Sequence, residues 1–165
     1  MRNRKALVAV VLISMTGVAL QCGSASGQQG LDTQTAKRVV GTWRLVSTTT
    51  DGKIDPNRGP NPTGLIFYDA KGHMAVQIQP DRPRPKFAGA QPTPDEAKAA
   101  LAGYTAYFGT YSIDEKAGTI THHRIGDVTP GLTAQFVRRY EFAPGDRLIL
   151  RPTTNMNALT WERVN

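Results

Sequence analysis

Val39-Val40-Gly41-Thr42-Trp43-Arg44-Leu45-Val46-Ser47 is the stretch on which the reading of this chain turns. A glycine, one residue and a tryptophan open an alternating, β-prone run just after a polar segment. In a small antiparallel barrel the chain crosses one end tightly at such a point. Glycine has no Cβ to clash there, and the indole plugs that end. The far end of the sequence agrees: Leu159, Trp161 and Arg163 share one face of a last strand by period two. In an up-and-down barrel with an even strand count, the first and last strands are antiparallel neighbours. The start of the first then lies beside the end of the last, which sets Trp43 against Arg163. A guanidinium over an indole is favourable by about 1 kcal/mol. Gly41, Trp43 and Arg163 are therefore expected to close the barrel.

Upstream, Arg2, Arg4 and Lys5 precede an apolar run from Ala6 to Leu20 relieved only by Ser14, Thr16 and Gly17. That run is short for a bilayer span, which needs about 20 residues. A basic start, a short apolar run and small residues after it specify a secretory signal peptide. Cleavage follows Ala25 or Gly27, so residues 1–27 are expected to be removed and the mature protein to be periplasmic or secreted. Cys22 raises a lipid anchor, but Gln21 stands where a lipoprotein signal has a small residue, and soluble export is the preferred reading. No membrane span is expected.

Removing Arg2, Arg4 and Lys5 lowers the formal charge from +7 to +4. The sequence has no Lys/Arg stripe interleaved with aromatics, so nucleic acid is not an expected partner. If Cys22 leaves with the signal, no cysteine remains. About 135 residues suffice for a single core without disulfides. Thiolate metal sites and cysteine nucleophiles are thereby excluded.

Residues 28–38 read as a polar, flexible lead-in ending in a turn of helix before Val39, and residues 39–165 as one domain. A first strand runs to about Thr50, and the proline-rich Ile54 to Thr63 is a loop. Gly64 to Tyr68 and His73 to Ile78 flank Asp69-Ala70-Lys71-Gly72 as a hairpin. Prolines 80, 83, 85 and 92 keep Pro80 to Pro92 out of any sheet. With Arg82, Arg84 and Lys86 this segment is either a solvated loop or a flap that draws an anionic ligand to a barrel mouth. Thr93-Pro94-Asp95-Glu96 is a capping box with proline at the first helical position, predicting one short helix over about 94–103. Strands follow at Tyr107–Asp114, Thr119–Ile125, Ala134–Phe142, Arg147–Arg151 and Ala158–Val164. The fold class is all-β: a meander of about eight antiparallel strands closed into a barrel.

Hairpin register identifies the inner face. Pairing Asp114 with Thr119 sets Ile113 against Ile120 and Tyr111 against His122, and the two isoleucines mark that side as the lumen. A three-residue Pro144-Gly145-Asp146 loop pairs Phe142 with Leu148 and Tyr140 with Leu150, which turns Arg138 inward. A four-residue loop would instead turn Val137 and Arg139 inward. Tyr111, His122, Arg138 and Tyr140 thus fall on three consecutive strands facing one interior. A buried guanidinium is costly without an acceptor, and these strands carry no inward acid. Water, a carboxylate from a loop, or an anionic ligand must serve it. Phe67 or its neighbours, Met74, Val76, Ile113, Ile120 and Phe142 would line the rest of the lumen.

Other chemistries find no support. His122 and His123 point to opposite faces and His73 stands alone, so no metal site is expected. No Gly-x-Ser-x-Gly elbow, phosphate loop or nicotinamide fingerprint occurs, and no cofactor is expected. The acids at 95–96 and 114–115 are accounted for by a cap and a turn.

The stretches Gly41–Val46, Gly64–Tyr68 with Gly72 and Met74, Tyr107–Tyr111, Thr121–His123, Val137–Glu141 and Leu159–Arg163 resemble, in this order, the bacterial and fungal lipocalin-like domain family of the calycin superfamily. The likeness spans Val39 to Val164, and His122 and Arg138 fall on two of the family's characteristic polar positions. It implies a calycin-type barrel with a helix beside or across its mouth, and a small apolar or amphipathic ligand. It does not imply an activity. The leading reading is an exported, non-enzymatic binder with Tyr111, His122, Arg138 and Tyr140 at its ligand. The alternatives are an isomerase or cyclase with His122 as general acid/base, and an envelope scaffold with a filled barrel.

Overall fold

The computed structural model describes residues 33–132 and 134–164; the expected signal segment and Cys22 lie outside the described residues. Its strands are β1 (Gly41–Thr50), β2 (Lys53–Ile54), β3 (Thr63–Tyr68), β4 (His73–Gln79), β5 (Thr105–Asp114), β6 (Thr119–Asp127), β7 (Phe136–Ala143), β8 (Arg147–Pro152) and β9 (Ala158–Arg163). Two helices are described, α1 (Gln34–Val39) before β1 and α2 (Pro94–Leu101) between β4 and β5. From β3 to β9 each strand pairs antiparallel with the next, while β1 pairs with β3 on one side and β9 on the other. Eight strands therefore close on themselves, which leaves no free edge along the barrel. The ninth, β2, is a two-residue ladder on the end of β1, within the segment after Asp51.

The closed end is built as the opening stretch requires. Trp43 is paired directly with Arg163, whose guanidinium carbon stands 4.2 Å from the indole centroid. Arg163 also donates through Nη1 to the Val40 carbonyl at 2.9 Å, and its Nε lies 3.2 Å from Asp146 Oδ2. Gly41 has φ +138°, and a Cβ there would come 2.5 Å from Arg163 Nη1. Glycine is needed at that point for its backbone and for the space it leaves.

The polar lead-in becomes structure earlier than its composition suggests. Thr33 caps α1 by accepting from Ala36 N at 3.1 Å. Ala36 and Val39, three apart on one face, are fully buried. Trp43 Nε1 donates to the Val39 carbonyl at 2.8 Å, so the helix end and the plug satisfy one another.

Alternation along the strands sends Ile66, Tyr68, Met74, Val76, Ile78, Ile113, Ile120, Leu148, Leu150 and Trp161 into one core. Phe67 is not among them: it is 45% exposed on the outer wall, and its neighbours Ile66 and Tyr68 line the interior. The cause is strand parity, because Phe67 pairs with Ala75 while Ile66 pairs with the buried Val76. Helix α2 has the expected capping box, with Glu96 accepting from Thr93 N at 2.7 Å and Thr93 Oγ1 from Glu96 N at 3.3 Å. It buries no residue and ends at Leu101, so it lies on the outside and contributes nothing to the core.

Candidate functional site

The inner polar residues are positioned by the β5–β6, β6–β7 and β7–β8 ladders. Tyr111 pairs with His122 and Ile113 with Ile120; Tyr140 pairs with Leu150 and Phe142 with Leu148. Arg138 lies beside Ile120 and Pro152, half-buried on the inner face, whereas Arg139 is exposed. The hairpin at 144–146 therefore takes the three-residue register.

Sharing a face does not bring every polar end together. Tyr111 donates from its hydroxyl to the Asp69 carbonyl at 2.7 Å, tying its strand to the β3–β4 turn at the closed end. Burial, with Asp69 adding to it, pushes its phenol up to about 12. Tyr140 packs against Phe142 with ring centroids 5.8 Å apart. Neither reaches the nitrogens of His122.

Those nitrogens are taken by two other tyrosines. Tyr68 Oη is 2.7 Å from His122 Nε2, and Tyr107 Oη is 2.9 Å from Nδ1. His122 is 0% exposed. A neutral imidazole donates at one nitrogen and accepts at the other, so one tyrosine gives it a proton and the other receives one. Burial holds the imidazole well below the usual histidine range, and the positive charge of Arg138 pushes the same way. Burial likewise raises the phenols of Tyr68 and Tyr107. The triad Tyr68–His122–Tyr107 is thus neutral and mutually satisfied.

Above it, toward the end opposite Trp43, a chamber of about 20 Å³ is lined by His122, Tyr107, Arg138, Arg58, Trp161 and apolar strand residues. It has room for about one water molecule. Arg58 comes from the loop after β2, whose backbone turns back at Asp55 to Gly59. Arg58 donates to Thr105 Oγ1 at 3.0 Å and pairs with Asp55 at 3.2 Å. Burial lowers its pKa, against the pull of Asp55. The loop carboxylate that register arithmetic left open is therefore present, but it serves the guanidinium on its own loop. Arg124, on β6, is served in the same way by Asp127 at 2.9 Å, and its guanidinium lies 4.0 Å from the Phe136 ring centroid.

Among the described residues, three buried or half-buried guanidiniums gather at this end with two carboxylates. Arg138 is the odd one: among the described residues no acid pairs with it, and it stands 5.1 Å from the Phe136 centroid. Two buried N–H donors in residues lining the chamber, Arg58 Nε and Trp161 Nε1, also have no partner. The site thus holds one uncompensated positive charge and unused donors. Such an arrangement accepts a single anionic group. Among the described residues no group of three His, Cys, Asp or Glu could hold a metal ion.

Sequence reasoning missed Asp55, Arg58, Tyr68, Tyr107 and Arg124. Three of these were within its reach. Tyr107 and Arg124 have the parity of Ile113 and Ile120, and Tyr68 that of Ile66, so extending the period-two count would have turned them inward. Asp55 and Arg58 sit in an irregular loop, where no periodicity exists to be extended.

Residues 40–164 match the model of the family described as a lipocalin-like domain. No curated protein matches the chain.

Proposed function

Because the chain belongs to the lipocalin-like domain family, whose barrel form suits small-molecule binding, we propose that it is an exported binder of a small amphipathic monoanion. The anionic head is received by Arg138 at the open end of the barrel. The observation that carries this reading is the charge count there: Arg58 and Arg124 have their own carboxylates and Arg138 has none. The chamber holds no more than about one water molecule, so the head group is met at its mouth. Phe136, at the rim on the same face and partly exposed, gives the adjoining apolar part of the ligand a surface. Export is supported by the basic start and apolar run of residues 1–20.

Binding is favoured over isomerase chemistry at His122 by a specific observation. Both ring nitrogens are engaged by tyrosines and the ring is sealed from solvent, so no lone pair is free to take a substrate proton. The test compares decanoate with its methyl ester by calorimetry. The carboxylate should bind more tightly by about 1.5–3 kcal/mol, the range for hydrogen bonds to charged groups. Arg138→Met should abolish the difference while the barrel stands, since an unpaired charge is removed. Equal binding of acid and ester, or a gap that survives Arg138→Met, would overturn the proposal.

A further inference from the structure

Two large recesses lie on the outer wall of the barrel. Strands β1 and β3 pair only between Gly41–Arg44 and Leu65–Tyr68, whereas on its other edge β1 stays paired with β9 from Trp43 to Thr49, with a bulge between Leu45 and Ser47. The opened seam is a cleft of about 760 Å³, reaching Leu45 and Val46 and bounded by Asn61, Gln77, Gln79 and Tyr104. A second recess of about 460 Å³ shares Phe67 and Gln77 with it and continues across β4 and β5 to Phe108 and Gly126. Together they make one groove running across the strands.

Its surface is organised in rows. Leu65, Gln77 and Ala106 are cross-strand neighbours, and so are Phe67, Ala75, Phe108 and Gly126. The Phe108 ring lies on Gly126, where a Cβ would come 2.4 Å from it, so the glycine lets the ring lie flat along the wall. Phe67 and Phe108 are 45% and 55% exposed. Gln77 donates through Nε2 to the Tyr104 hydroxyl. That leaves its own carbonyl as an acceptor and the Tyr104 O–H as a donor. Gln79, exposed beside them, offers both. At the rim Arg44 pairs with Glu162 and Asp127 with Arg124, Asp81 accepts from both Asn61 N and Nδ2, and the Arg84 guanidinium lies 4.8 Å from the Tyr104 ring centroid.

We propose that this groove binds a neutral, extended oligosaccharide. Exposed ring faces spaced along the groove match the apolar C–H faces of successive sugar units, and amides with a phenol match hydroxyls that need donor and acceptor together. An alkyl chain would leave the amides without use. An extended peptide would need main-chain partners, and apart from the short Thr63–Gly64 edge at the seam the paired face of β3, β4 and β5 has none to offer.

The test titrates the full protein with cellotetraose, xylotetraose, maltotetraose and tri-N-acetylchitotriose, followed by amide chemical shifts. At least one should shift the amides of β3, β4 and β5 around Phe67, Gln77 and Phe108. Tyr104→Ala and Phe108→Ala should each weaken that binding up to about tenfold, the scale of one aromatic contact. Phe108 is exposed and Tyr104 half-buried beneath Arg84, and thermal unfolding checks that each variant folds. The proposal is overturned if no saccharide shifts these resonances, or if binding survives both substitutions. It is equally overturned if octyl maltoside binds the groove while maltotetraose and the other sugars do not.

Discussion

His122 should make the barrel acid-sensitive in a way that a single substitution removes. In the folded protein burial holds the imidazole well below its ordinary value, while in the unfolded chain it titrates near 6.5. Above pH 6.5 neither state is protonated there, and the contribution to stability is constant. As pH falls below 6.5 only the unfolded chain takes up the proton, so stability drops with falling pH until the folded value is reached. The slope approaches about 1.4 kcal/mol per pH unit over the range in which only the unfolded chain is protonated. Against a total of about 5–15 kcal/mol each such unit is a large fraction. His122→Gln keeps one donor and one acceptor between Tyr68 and Tyr107 and cannot be protonated, so its urea midpoint should be flat across the same window. Fluorescence of the buried Trp43 and Trp161 reports unfolding at each pH. Identical pH slopes in the two proteins, or a His122 ring resonance that titrates near pH 6.5 in the folded state, would refute the reasoning.

Four further outcomes are expected. Trp43→Ala should cost about 3–5 kcal/mol in chemical denaturation, as for a fully buried core aromatic, and Gly41→Ala about 1–3 kcal/mol because of its positive φ and the displaced Arg163. Thr93→Ala should weaken α2 by about 1 kcal/mol, seen as faster hydrogen exchange at its amides, without moving the global unfolding midpoint, since the helix buries nothing. The mature chain purified from its own host should begin between Gln21 and Gln28 by N-terminal sequencing; an intact Met1 or Arg2 would remove the case for export.

Strand parity made the barrel wall legible from the sequence. Gly41, Trp43 and Arg163 meet because a meander of even strand count forces its two ends together, and of the two registers counting left open at 144–146 the three-residue one turns Arg138 inward. The capping box at Thr93 needed only local hydrogen bonds, so α2 could be read from four residues. What counting along a strand cannot give is where a long side chain ends. Tyr111 and His122 are cross-strand partners, yet the Tyr111 hydroxyl reaches a turn at the closed end, while Tyr68 and Tyr107 occupy the imidazole. Nor can it give the path of an irregular loop. Asp55 and Arg58 fold over the mouth through turn hydrogen bonds and the Thr105 hydroxyl, and that path decides which guanidinium is left without a carboxylate. The sequence determined the faces, because the period of a strand is local. Only the tertiary structure decided the pairings inside, because those depend on which side chains reach one point from strands and loops far apart in the chain.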